Sequence, residues 1–217
     1  MCVIIHKPKN ADIAQETFEK CWKENPHGSG MMYVSDGKLI VVKGMMTLNA
    51  FMDKYAEYKC VEKEVVIHFR LASAGTVTPD QTHPFWVFSD QLAVVHNGHI
   101  MGYDTGGLKQ SDTMIFNQEI LTKLPKDFLS NDAILELLDN YIAGSVMVFM
   151  DKLGNIKMVG TTAGSIFLNG CWFSNDFWQD ESSSSTLSDG NFEELLEEAK
   201  FEAIEYERRD IDMGEED

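Results

Sequence analysis

Apolar residues along this chain fall in short runs, broken by turn-forming residues, and the runs alternate between two periods. Cys2 to His6 is β-prone, with β-branched Val3, Ile4 and Ile5 in succession. From about Asp12 to Asn25 the spacing becomes helical, and Ile13, Phe18, Cys21 and Trp22 can share one face. Pro26-His27-Gly28-Ser29-Gly30 is a loop by composition. Met31 to Val34 and Leu39 to Val42 flank Asp36-Gly37, a pair suited to a tight hairpin turn. Thr47 is placed to cap a helix running to about Tyr58.

Glu64 to Phe69 and Gln91 to Val95 are the next predicted strands, separated by a long polar loop. Helices are predicted from Ser111-Asp112 to Lys123 and over Asp132 to Ile142. Ser145 to Met150, Ile156 to Gly160, Ser165 to Leu168 and Cys171 to Ser174 then read as strands. Strands, helices and strands in that order predict an α+β domain of antiparallel sheets packed against helices. We expect this domain to occupy residues 1–180, followed by a Ser-rich linker at 181–190. In the remainder, 191–217, Phe192, Leu195, Leu196, Ala199, Ala203 and Tyr206 recur at helical spacing before a disordered end. Two roles stay open for that acidic amphipathic stretch: covering its own domain, the simpler expectation, or docking a basic partner chain.

The composition, 44% apolar and 11% aromatic over 217 residues, is that of a chain with a real core. No apolar run reaches the roughly 20 residues that span a bilayer, and the first residues lack a signal-peptide pattern, so the expected location is cytoplasmic. The net charge of −17 argues against a nucleic-acid partner. Its distribution is uneven: residues 181 to 217 hold fourteen acidic and three basic side chains, a net of −11, leaving −6 for the rest. Four widely spaced cysteines, Cys2, Cys21, Cys60 and Cys171, fit neither a disulfide framework nor a metal site. No cofactor motif occurs: there is no phosphate loop and no dinucleotide fingerprint.

Cys2 is set apart by its position. Removal of Met1 would expose an α-amine with a reference pKa of about 7.7–8.0, a base covalently tethered to a thiol nucleophile. On position alone, an incidental terminal cysteine is the simpler explanation. Further along, Arg70 stands at a strand end, where its fork can hold a carboxylate by two hydrogen bonds. Asn97-Gly98 follows another strand, and an Asn side chain beside a Gly N–H can form an oxyanion hole. Ser111-Asp112 puts a carboxylate at a helix start, within the reach of an amino-acid ammonium group. Singly, each has an ordinary alternative: a surface ion pair for Arg70, a hairpin turn for Asn97-Gly98, a helix cap for Asp112, a loop-shaping role for His83-Pro84.

Together and in this order, Cys2, Arg70, His83-Pro84-Phe85, Asn97-Gly98 and Ser111-Asp112 resemble the class II glutamine amidotransferases, which are N-terminal nucleophile hydrolases. The likeness runs over roughly residues 2 to 175. It implies a four-layer αββα sandwich of two antiparallel sheets. It also implies hydrolysis of the glutamine side-chain amide through a γ-glutamyl thioester on Cys2, releasing glutamate and ammonia. By the same likeness Asn97 and Gly98 would stabilise the oxyanion, and Arg70, Ser73, His83 and Asp112 would bind substrate. Many synthase-linked members carry Trp-Ala-Thr-His after the Arg, where this chain has Leu71-Ala72-Ser73-Ala74. That form is closer to free-standing members acting on γ-glutamyl compounds. Three expectations stay open: an ammonia source for a separate synthase, a stand-alone hydrolase of other γ-glutamyl compounds, and a catalytically silent acidic interaction protein.

Overall fold

A computed structural model describes residues 1–103, 109–162 and 164–179, all within one compact unit spanning Met1–Ser184. The expected linker at 181–190 and the acidic helix and tail at 191–217 lie outside the described residues.

Ten strands and four helices alternate along the described chain. They run β1 (Val3–Lys7), α1 (Gln15–Glu24), β2 (Ser29–Ser35), β3 (Lys38–Met45), α2 (Leu48–Glu57), β4 (Val65–Phe69), β5 (Phe85–Phe88), β6 (Leu92–Asn97), α3 (Asp112–Glu119), α4 (Asp132–Tyr141), β7 (Val146–Asp151), β8 (Ile156–Gly160), β9 (Ile166–Leu168) and β10 (Cys171–Phe173). The strands form two antiparallel sheets, one ordered β3-β2-β4-β1-β10-β9 and the other β5-β6-β7-β8. The α+β class and the antiparallel sheets expected from the pattern are present.

Local chemistry explains most boundaries. Asp36 and Gly37 both have positive φ, 52° and 70°, which lets the β2–β3 hairpin close in two residues. Thr47, Ser111 and Asn131 each accept a backbone N–H three residues on, starting α2, α3 and α4. The first helix starts at Gln15 rather than Asp12, because Ile13 is buried in the core and Ala14 is extended with ψ 141°. The stretch between the strands predicted at 64–69 and 91–95 is not all loop. Phe85–Phe88 pairs with β6 as an edge strand, and its run of four apolar residues gave no alternation to read. The third helix ends at Glu119, and Leu121–Lys123 continues as a single 3₁₀ turn.

Each sheet has an apolar face covered by helices. Phe18 and Cys21 of α1 and Phe51 and Tyr55 of α2 pack on Val3, Ile5, Ile67 and Phe69. Phe69 lies edge-on to Phe51 with 4.8 Å between ring centroids. Its full burial is worth roughly 2–3 kcal/mol. On the second sheet, Phe116 of α3 and Leu138 of α4 pack over Phe85, Val94, Met147 and Phe149.

The opposite faces are buried as well: Ile4, Met32 and Val66 on one sheet, Ala93, Val95 and Val148 on the other, none of them in either helix-covered cluster. A cross-sheet bond joins His68 Nε2 of β4 to the carbonyl of His96 on β6 at 3.0 Å. This arrangement is compatible with an αββα sandwich. Cys21, Cys60 and Cys171 are buried free thiols. Among the described residues no helix is long and apolar enough to cross a membrane, and no cluster of His, Cys, Asp or Glu is arranged to hold a metal ion.

Candidate active site

Strand alternation decides what stands near Cys2. Val3 and Ile5 of β1 point to the helix-covered core, so Cys2, Ile4 and His6 take the other face. In β4, Ile67 and Phe69 likewise face the helices. His68 and Arg70 therefore share the face of Cys2, and β1 pairs with β4 in the register Val3 to Phe69.

That register brings the start of β1 to the end of β4. The backbone N–H of Leu71 donates to Cys2 Sγ at 3.3 Å, and the thiol in turn reaches the Leu71 carbonyl at 3.5 Å. Burial pushes the Cys2 thiol above its ordinary range. The Leu71 bond, the chain's terminal ammonium and the Arg70 guanidinium oppose this, and Asp112 adds to it. At neutral pH the group is a thiol that needs a base.

Arg70 is buried, and burial lowers its pKa. Its guanidinium donates to the carbonyls of Thr76 and Ala74, both at 2.8 Å, using two of the five N–H donors an arginine carries. The loop that supplies these carbonyls is clamped on both sides. On one, Ala72 N–H donates to His27 Nδ1 at 2.9 Å, while His27 and Gly28 exchange backbone bonds with Arg70. On the other, Thr76 N–H donates to the Lys109 carbonyl at 2.9 Å. A Cβ on Gly75 would stand 2.7 Å from Ser111 N, so the loop lies directly against the start of α3.

Asn97 ends β6 and is fully buried. Its Nδ2 lies 2.8 Å from Ser174 Oγ, and the same oxygen accepts the Ile4 N–H at 2.9 Å. Gly98 has φ +136°, and a Cβ there would fall 2.0 Å from Ser145 Cβ. The pair is not the hairpin turn that Asn-Gly otherwise suggests, since β6 pairs with β7 and the chain continues toward α3. Asn175 completes the surroundings, donating from Nδ2 to the Cys2 carbonyl at 2.7 Å.

Asp112 is the first residue of α3, and the cap is Ser111. The Asp112 carboxylate is buried and well partnered: it accepts the N–H groups of Ile100 at 2.8 Å and Thr113 at 2.7 Å, and pairs with His99 at 3.0 Å. Ser73 is exposed on the loop. His83 is buried between His68 and Phe85, with ring centroids 4.2 and 4.6 Å away, and among the described residues it makes no hydrogen bond to Cys2 or Arg70.

The structure thus joins Cys2 to the Arg70 loop directly and ties Asn97 to β1 through Ser174. Asp112 is felt by both Cys2 and Arg70 electrostatically, and Arg70 is felt by His83; Ser73 is exposed. Sequence reasoning assigned no role to His27, Ser174 or Asn175. The available signal was their placement: His27 sits in the glycine-rich loop before β2, and Ser174-Asn175 are the first polar residues after β10, the partner of β1.

No family model matches the chain. Over 192 residues, 82% of this chain, it is 24% identical to the glutamine–fructose-6-phosphate aminotransferase (isomerizing) of Buchnera aphidicola. A second relative, an uncharacterised protein of Methanocaldococcus jannaschii, is 27% identical over 106 residues, 47% of this chain. The matched regions span 31% and 30% of these two relatives, so the chain covers less than a third of the length of either. The likeness to the aminotransferase is a distant relationship to a glutamine amidotransferase.

Proposed function

We propose that this chain is a class II glutamine amidotransferase-type amidohydrolase of the N-terminal nucleophile kind. One observation carries the reading: Cys2 Sγ is held by the Leu71 N–H, immediately next to the buried, carbonyl-braced Arg70. A thiol next to a cation able to hold an amino-acid carboxylate supports this reading, as does the distant similarity of the chain to a glutamine amidotransferase.

Loss of Met1 frees the Cys2 α-amine, which takes the thiol proton as Sγ attacks the γ-carboxamide carbon. Asn97 and the Gly98 N–H receive the developing oxyanion. Collapse expels ammonia, protonated by the same amine, and leaves a γ-glutamyl thioester that water hydrolyses to glutamate. Arg70 grips the substrate carboxylate bidentately, and Asp112 attracts its ammonium. Ser73 and His83 are the outer members of the proposed substrate-binding set.

A second reading, hydrolysis of γ-glutamyl compounds other than glutamine, is favoured by Leu71 and Ala74. They replace the Trp and His of synthase-linked members and leave the loop beside the thiol smaller. Ammonia delivery to a separate synthase is the reading against which it is tested.

The test is glutamate release from glutamine and from a panel of γ-glutamyl amines and peptides. It compares protein of verified intact mass with Cys2→Ala. The reading predicts release that disappears in the variant. Release unchanged by Cys2→Ala would overturn it, and preference within the panel decides between the two substrates.

A further inference from the structure

The Asn97–Ser174 contact leaves two polar groups stranded in one orientation of the amide and reconciles them in the other. With Nδ2 toward Ser174, the hydroxyl receives two N–H groups, from Asn97 at 2.8 Å and from Ile4 at 2.9 Å. A hydroxyl has one proton to donate, and that proton finds no acceptor among the described residues. Asn97 Oδ1 is at the same time buried without a donor. Both residues are fully buried, so neither group is satisfied by solvent. Each unmet group costs about 1–3 kcal/mol.

A carboxamide has two ends of nearly equal size, and its hydrogen-bond partners decide which end is which. Turning the Asn97 amide by half a rotation lets the Ser174 O–H donate to Oδ1 while the hydroxyl still accepts the Ile4 N–H. Both stranded groups are then paired, and the NH₂ becomes the group left without a partner among the described residues. The NH₂ moves to the side previously held by the unpartnered oxygen, where an incoming oxyanion is the natural acceptor. The unturned amide would present a carbonyl oxygen there and repel negative charge.

We infer that Ser174 is a positioning residue: its hydroxyl, oriented by the Ile4 N–H of the nucleophile's own strand, fixes the Asn97 carboxamide with its NH₂ toward the reacting carbonyl. The catalytic use of this orientation rests on the proposed amidohydrolase function; the orientation itself does not. Its supports are fixed on all sides. Ser174 N–H donates to the Ile4 carbonyl at 2.9 Å, and Thr162 Oγ1 donates to the Ser174 carbonyl. The hydroxyl thus sits on a braced backbone bridging β1 and β6.

Neutron diffraction on deuterium-exchanged crystals reads the orientation without any turnover. A deuteron on Ser174 Oγ directed at Asn97 Oδ1 is the expected result; an Nδ2 deuteron directed at Ser174 overturns the inference. Kinetics read the consequence. Ser174→Ala is expected to lower kcat for glutamate release about 10- to 100-fold with KM changed less than about twofold. Asn97→Ala is expected to lower kcat by about 10²–10³, the usual loss for one oxyanion donor. Adding Ser174→Ala to Asn97→Ala should then cost nothing further, whereas two losses that multiply would overturn the role. If Ser174→Ala does not fold, Ser174→Cys keeps the size with a weaker donor and should show a smaller kcat loss with the same KM. Correct deuteron positions in a protein that releases no glutamate would refute the proposed function and leave the orientation standing.

Discussion

Leu71 offers its backbone N–H to Cys2 Sγ at 3.3 Å, across 69 residues of sequence. The bond fixes the thiol beside the residue that follows Arg70. It also lowers the thiol pKa, but not enough to cancel burial.

Because Cys21, Cys60 and Cys171 are fully buried while Cys2 is only partly so, alkylation of the native protein should label Cys2 alone. The rate should climb steadily as pH rises above neutrality, since burial holds the thiol protonated. Peptide mapping after iodoacetamide treatment at several pH values checks both points. Equal labelling of Cys21 or Cys171 under native conditions would contradict the packing described.

The Arg70 guanidinium spans the carbonyls of Ala74 and Thr76 with two separate nitrogens. Lysine keeps the charge but has a single nitrogen and no planar fork. Arg70→Lys should therefore raise KM for glutamine at least about tenfold through loss of bidentate carboxylate binding. Steady-state glutamate release measures this, and an unchanged KM would remove Arg70 from substrate binding.

Gly98 and Gly144 both have positive φ, but only Gly98 is crowded. A Cβ at Gly98 meets Ser145 at 2.0 Å, whereas at Gly144 nothing lies within 4 Å. Gly98→Ala should cost at least about 2 kcal/mol, from strain together with overpacking. Gly144→Ala should cost about 1 kcal/mol, from strain alone. Urea denaturation of the two variants side by side tests the difference.

Three buried histidines set an acid limit on stability. Burial lowers His68 to about 3 and His96 to about 4, and holds His83 well below its usual range. Unfolded, each titrates near pH 6.5, so below that pH the unfolded chain binds protons that the folded chain does not. Stability is full above about pH 6.5 and falls as pH drops toward the folded values, by on the order of 1–2 kcal/mol per histidine between pH 7 and 5. Denaturant midpoints at pH 5, 6 and 7 check the slope. Replacing His83 by Phe should flatten it.

How much of this was legible in the sequence follows from the physics of each signal. The β2–β3 hairpin was readable because Asp36-Gly37 encodes its own turn, and α2 because Thr47 caps it locally. The strand at Phe85–Phe88 was not, because four successive apolar residues carry no periodicity. At the site, Cys2, Arg70 and Asn97 stand out in the sequence only as an ordered set, since each singly has an ordinary alternative. Ser174 and His27 do not stand out: their roles come from contacts with residues 77 and 45 positions away, which no local pattern encodes. Asp112 reads in the sequence as a helix-start carboxylate, either a cap or a partner for an ammonium; the bond from the Ile100 N–H, twelve residues away, is the contact that no local pattern encodes.

The most direct test of the central claim is intact-mass analysis of protein acid-quenched during turnover with glutamine, followed by peptide mapping. An N-terminal Cys2 nucleophile requires loss of Met1 and a γ-glutamyl group on the peptide that begins with Cys2, absent from Cys2→Ala. Retention of Met1, or glutamate formed with no adduct and at an undiminished rate in Cys2→Ala, would contradict it.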